Sequence, residues 1–176
     1  MEPKDLDLLV FMSAVTLNFQ NRAAKTETAS GSVRYAVFKR QKQFFGLTID
    51  LVREVISGQT LTRVARSQEQ ILGVLSLRGE ILPVVVIDNW LGLETIPDDP
   101  IQPILVLRRA DLLVGLRVDA IQSVAGVPAD QVQAHPAAGN GGLLKGIWHP
   151  AGHAPITLIN DTVLVEMLCQ STSVNL

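Results

Sequence analysis

From Val33 onward apolar residues recur with a period of two, and turn-forming residues cut the pattern every 8–12 residues. A period of two is the strand repeat, because successive side chains point to opposite faces. Segments this short leave little room for long helices. They point to a mainly β protein of short strands closed into small barrels or sandwiches. Val33–Phe38 and Phe44–Ile49 read as a hairpin around the polar turn Lys39–Gln43. Asp50–Ile56 fits helix or strand. Leu61–Ala65 reads as a short strand and Ser67–Leu72 as a helical turn capped by Ser67. Gly73–Leu77 and Val84–Ile87 flank Arg78-Gly79-Glu80, where Gly79 is free to take positive φ. Pro83 has no amide hydrogen, so it marks a strand end, an edge or a bulge. Asp88–Leu93 reads as a short helix ending at Gly92.

Thr95–Pro103 contains Pro97, Pro100 and Pro103 and reads as the internal boundary. The strand pattern then restarts with Ile104–Leu107, Leu112–Val118, Ile121–Val124, Leu143–Trp148 and Pro155–Ile159. Arg108–Asp111 and His149–His153 read as turns, Pro128–Val132 as a helical turn, and Ala134–Gly142 as a glycine-rich loop. Thr162–Cys169 reads as a closing helix. Roughly ten strands in two groups, divided near residue 98, suggest two five-stranded barrels that share an interface. The first would span 33–97 and the second 98–165. Neither group alone has a comfortable core.

Of the 176 residues, 47% are hydrophobic and 18% charged, so the chain is expected to fold. Its net charge of -2 argues against non-specific nucleic-acid binding, which needs a basic footprint. An oligonucleotide-binding barrel would also need exposed aromatics, and only 5% of residues are aromatic. The single cysteine, Cys169, excludes an internal disulfide framework and a cysteine-rich zinc module. A reducing, cytoplasmic setting is the default. Residues 1–32 are expected to form a mobile tail with a frayed helix near Leu6–Val15, and residues 171–176 a C-terminal tail. The apolar patch Leu8–Met12 is too short to span a membrane, and Glu2, Asp5 and Asp7 precede it where a signal peptide has basic residues. Its alternative reading is a docking segment for a partner.

No catalytic, metal or cofactor constellation emerges. His149 and His153 are four apart but flank Pro150 and Gly152 in a turn, which is not the helix that a paired-histidine zinc site needs. His135 stands alone in its loop. Ser76 lacks a nucleophile elbow. Asp98-Asp99 lies in the proline-rich connector. Gly139, Gly141 and Gly142 lack the lysine of a phosphate loop. Cys169 is read as packed on the apolar face of the last helix. The chain therefore reads as a binding module and not an enzyme, with no cofactor or metal. Charges among apolar strand residues carry more information. Glu54 sits among Leu51, Val52, Val55 and Ile56, and Arg78 ends an apolar strand. Such charges form either an internal ion pair or a polar pair within a partner-binding patch.

At these residues the sequence resembles a known family. ILGVLSLRGEILPVVV, Ile71 to Val86, is similar to the Leu-Arg-Gly signature of CheW-like chemotaxis adaptors. FFGLTIDLVREVI (Phe44–Ile56), VGLRVDAIQSV (Val114–Val124) and the pair LLKGIW and ITLIN resemble further family segments, in family order, over about residues 33–170. Val86 departs from a frequent aspartate, which Asp88 replaces two residues later, and Asn160 stands where aspartate is common. The resemblance implies two small Src-homology-3-like barrels with short helices and a C-terminal helix. It also implies a cytoplasmic adaptor, without enzymatic activity, recruited to membrane receptor arrays. Such an adaptor joins the cytoplasmic tip of methyl-accepting chemoreceptors to the regulatory domain of a CheA-type histidine kinase. A pilus-motility adaptor and a detached kinase regulatory domain share the fold. By position, Glu54 and Arg78 match the family's charged pair near the receptor-binding surface. Val52, Val55 and Leu77 would be apolar neighbours, and Gly79, Pro83, Gly115 and Asp119 turn or structural positions.

Overall fold

A computed structural model describes residues 31–172 apart from 58, 65–67, 98 and 137–141. Of the tail expected over residues 1–32, residues 1–30 and their helix lie outside the described residues, whereas Ser32 already pairs with Pro128. The strands are β1 (Ser32–Arg40), β2 (Gln43–Thr48), β3 (Val52–Ile56), β4 (Ile71–Leu77), β5 (Glu80–Val85) and β6 (Ile104–Arg109). They continue as β7 (Leu112–Arg117), β8 (Ala120–Pro128), β9 (Val132–Ala134), β10 (Leu144–Trp148) and β11 (Ile156–Ile159). Short 3-10 turns cover Asn89–Leu91 and Ala129–Gln131, and helix α1 covers Asp161–Thr172. The protein is mainly β, in keeping with the barrel expectation.

Several local expectations need correction. Asp50–Ile56 resolves into a turn and β3, because Val52–Ile56 finds a partner strand in β6. Within the expected strand Leu61–Ala65, the described residues 61–64 hold a single bridge, Thr62 to Val74. Ile71 and Leu72 belong to β4 and not to a helical turn, since Ile71 pairs with Val85. The closing helix runs on to Thr172 and buries Ser171, so the C-terminal tail does not begin at 171. Asn160, the departure from aspartate, caps α1 by accepting hydrogen bonds from the amides of Thr162 and Val163. Cys169 is exposed and not packed.

The largest correction concerns the division near residue 98. One sheet runs β8-β1-β2-β11-β10-β9 and the other β3-β6-β7-β5-β4. Each takes strands from both sides of the proline-rich connector. β3 leaves the first hairpin to pair with β6, while β8 leaves the second hairpin to pair with β1. The exchange repeats one scheme. AVFKRQKQFFGLTID, residues 36–50, aligns with LVLRRADLLVGLRVD, residues 105–119, shifted by 69 positions. The turns match too, with positive φ at Gln41 (55°) and Ala110 (49°). β8 bulges on β1 and β3 bulges on β6 at positions related by the same shift. β4–β5 and β10–β11 are bulged hairpins, and each adds its second strand in parallel, β5 to β7 and β11 to β2.

Three apolar clusters result. Tyr35, Val37, Val127, Ile156 and Leu158 fill the six-stranded barrel. Leu75, Leu82, Val84, Ile104 and Val106 fill the five-stranded one. A larger cluster between them takes the opposite faces of the same strands, such as Phe38, Leu105, Leu107 and Leu116, together with Leu164 and Leu168 of α1. Both faces of the central strands are thus covered, which explains their continuous apolar runs. Gly115 faces the five-stranded interior. A Cβ there would stand 2.7 Å from Ile104 Cγ2 and 3.1 Å from Val84 Cγ2.

Helix α1 is pinned at its start by Asp161, which accepts hydrogen bonds from the hydroxyl and amide of Thr48. Burial pushes the Asp161 carboxyl up, and the Thr48 bonds only partly offset it. A raised folded-state pKa means that the folded protein holds this proton more tightly than the unfolded chain. Stability from this group is therefore present in acid and lost as pH rises through the folded value. Asp161→Asn should remove that slope. As pH rises above the ordinary aspartate value of about 4, the stability of the parent should fall relative to the variant, as read by urea titration at each pH. Parallel curves would exclude this role.

Candidate partner-binding surface

The β4–β5 hairpin turns on two residues, Arg78 (φ 53°) and Gly79 (φ 87°). Positive φ at both positions is the hairpin turn that matches strand twist, and it is unusual for an arginine. Glu80 follows and pairs with Leu77. Across the barrel lies β3, at the opposite edge of the same five-stranded sheet. Its register slips between Val52 and Glu54, so Arg53 is an extra residue. The bulge lets two adjacent charges, Arg53 and Glu54, stay off the core while Val52 and Val55 both turn into it.

Barrel closure brings these edges together. Arg78 Nη2 lies 2.9 Å from Glu54 Oε2. Arg53 Nη1 lies 3.3 Å from Glu80 Oε2, and Arg53 Nε lies 3.4 Å from Glu54 Oε1. The last contact lacks hydrogen-bond geometry, which leaves the buried Oε1 one donor short. Four charges thus bridge the seam in the order Arg78, Glu54, Arg53, Glu80. Glu54 pairs with Val106, an interior residue, so it stands on the inward face at the barrel rim. The Arg78 side chain is 66% exposed. An ion pair this exposed is worth about 0–1 kcal/mol, so a partner's charges can compete for it at little cost.

Sequence reasoning identified Glu54 and Arg78, and the structure brings them together. It did not identify Arg53 and Glu80, although opposite charges beside each member were a usable signal. Val52 and Val55 must be corrected as surface neighbours. They are 2% and 9% exposed and belong to the shared core. Leu77 is half-buried against the five-stranded interior. Ile81, which the sequence reading passed over, is the apolar neighbour that reaches solvent, 70% exposed one residue beyond Glu80. Pro83 pairs with Val74 just before the parallel ladder of β5 and β7 begins at Val84. Asp119 accepts from Arg40 Nη1 at 2.8 Å and from Gln102 Nε2 at 3.1 Å, in the joint between barrels.

The equivalent rim of the six-stranded barrel carries no such charges. Gln122 and Ser123 stand where Arg53 and Glu54 stand. There the mouth is an apolar pocket of about 380 Å³, lined by Val37, Phe44, Trp148 and Ile156 with His153 at its edge. Among the described residues no group of three or more histidine, cysteine or acidic side chains could hold a metal, and no helix is long and apolar enough to cross a membrane.

The family model for the CheW-like domain matches residues 34–167. The chain belongs to the CheW-like domain family. Its relatives include the chemotaxis protein CheW of Thermotoga maritima, 28% identical over 74% of this chain and 86% of that protein. Chemotaxis protein CheW of Rhizobium meliloti is 32% identical over 65% of this chain and 73% of its own length. Protein PilI of Pseudomonas aeruginosa is 26% identical over 72% of this chain and 67% of its own. The crystal structure of the scaffolding protein TtCheW from Thermoanaerobacter tengcongensis superposes with a TM-score of 0.63 at 24% identity, covering 73% of this chain and 89% of that one. The likeness to that structure speaks for the fold. Membership of the CheW-like family identifies the chain as an adaptor or scaffold.

Proposed function

We propose that this CheW-like protein couples the cytoplasmic tips of chemoreceptors to the regulatory domain of a CheA-type histidine kinase. Simultaneous protein binding at two faces is its only output, with no reaction and no cofactor. The observation that carries the reading is the charged rim of the five-stranded barrel. Exposed Arg78 and Glu80, backed by the more buried Arg53 and Glu54 and flanked by exposed Ile81, set polar contacts beside an apolar one, as a specific interface requires. A helical receptor tip would lay its apolar stripe along this margin. The open apolar mouth of the other barrel offers a second face for the kinase. Occupying both faces changes kinase output only if affinity differs between kinase states. Membrane location would come from the receptor partner.

Arg78→Glu should weaken binding to a receptor cytoplasmic fragment by more than about 1 kcal/mol, the scale of an interface hot spot. Its unfolding free energy should stay within about 0.5 kcal/mol of the parent, as for surface changes generally. Isothermal titration of parent and variant decides this, and equal affinities would remove Arg78 from the interface. The likeness to PilI supports a second reading, an adaptor in a pilus-motility pathway with equivalent partners. Pull-down with the host's own CheA-type kinases separates the two.

A further inference from the structure

Four ladders join a strand from residues 31–93 to one from 104–172: β1 with β8, β2 with β11, β3 with β6, and β5 with β7. Neither half of the chain completes a barrel alone. Each half offers the unpaired partners that the other half needs, and those contacts are indifferent to which chain supplies them. Only the connector keeps the exchange within one molecule. It holds Pro97, Pro100 and Pro103, and prolines favour an extended path over a fold-back. Gln41 binds the Glu94 carbonyl and Gln102 binds Asp119, but the largest set of bonds on the connector comes from Arg117, 1% exposed at the end of β7. Its Nη1 donates to the carbonyls of Asp99, Pro100 and Gln102, each at 3.1 Å, and its Nη2 to that of Gln59 at 3.1 Å.

We propose that a second copy of this chain is a partner for the same surfaces, through reciprocal exchange of halves across an opened connector. The product is a dimer with two complete pairs of barrels and two copies of every outer face. Because the strand ladders and all three cores are conserved in the exchange, the dimer loses little beyond the connector's own bonds, of which the Arg117 clamp is the largest set. Arg117 therefore acts as the selector for the monomer.

Arg34 of β1 faces Gly126 of β8, and a side chain at Gly126 has open space, with Ser32 Oγ 3.9 Å away as its nearest neighbour. In a Cys169→Ser background, one chain carries Arg34→Cys and another Gly126→Cys. The two are unfolded together, refolded at high concentration and oxidised. A disulfide-linked heterodimer is expected, rising with protein concentration and absent when the two are mixed already folded. A chain carrying both cysteines reports that the pair can close within a monomer. If it closes and the mixture yields no heterodimer at any concentration, the exchange is overturned. A dimer that forms without the heterodimer crosslink overturns it equally. Independently, Arg117→Met should raise the dimer-to-monomer ratio by light scattering at least about tenfold. That corresponds to about 1.4 kcal/mol, less than one charge-assisted hydrogen bond is worth at most. A ratio no higher than in the parent also overturns the proposal, and should Arg117→Met fail to fold, the crosslink still decides.

Discussion

Arg40→Met will lower the unfolding free energy by roughly 3–5 kcal/mol, the cost of leaving a buried charge without its counter-ion. Arg40 is 2% exposed and Asp88 1%. The guanidinium meets Asp88 through two parallel bonds of 2.6 Å, Nε to Oδ1 and Nη2 to Oδ2, while Nη1 reaches Asp119. Burial by itself would lower the pKa of Arg40. The bonds and charges of Asp88 and Asp119 outweigh it, and the net shift is upward. Arg40 ends β1, whereas Asp88 follows β5 and Asp119 follows β7, so the cluster joins elements that form different sheets. Removing the cation strands two carboxylates in the joint. The double variant Arg40→Met with Asp88→Leu should recover part of the loss, since replacing both members of a buried pair by apolar groups is often nearly neutral. Urea unfolding of the parent, both single variants and the double variant completes the cycle. A single-variant loss below about 1 kcal/mol would show that the cluster is hydrated and unimportant.

Gly73→Ala should be nearly as damaging, and for a different reason. Gly73 sits in the β4 bulge at φ 156°, and an added Cβ would lie 2.6 Å from the Thr62 carbonyl oxygen and 2.9 Å from Leu61 Cβ. The oxygen belongs to the bridge with Val74, so it cannot move without breaking the hydrogen bonds that Thr62 and Val74 exchange at 2.9 and 2.8 Å. Overpacking of this kind costs about 1–3 kcal/mol, and a strained backbone adds roughly 1–3 more. Gly79→Ala is the natural comparison. It shares positive φ but meets nothing within 4 Å, so about 1 kcal/mol of conformational cost is expected. Thermal or urea unfolding should rank Gly73→Ala well below Gly79→Ala. Equal losses would show that backbone conformation, and not the close approach, makes glycine necessary at 73.

The candidate site was only partly legible in the sequence. The Leu-Arg-Gly stretch announced a hairpin turn, and Arg78 with Glu54 stood out as charges among apolar neighbours. Val52 and Val55 were misplaced because closeness to Glu54 in sequence does not say which face of the strand a residue takes. The bulge at Arg53 breaks strict alternation and turns both valines inward, and a bulge is created by the partner strand. Cys169 was misjudged similarly. It lies on α1 among apolar residues, but Leu164 and Leu168 face the core and Cys169 points away.

Most strand positions, the β1–β2 turn, the short helix ending at Gly92 and the closing helix were readable because they depend on alternation, turn chemistry and capping, which are local. The exchange of β3 and β8 was not readable. Residues 36–50 and 105–119 repeat, but only Val, Arg, Gly, Leu and Asp recur identically, at 37, 40, 46, 47 and 50 and 69 positions later. A strand's own residues say that it needs neighbours without naming them. Which edge is free, and which of two similar faces closes over it, is settled only when the whole chain has packed and the shared core has formed. That is why Arg40 meets Asp88 and Asp119, and why Arg78 reaches Glu54, across distances in sequence that no local pattern records.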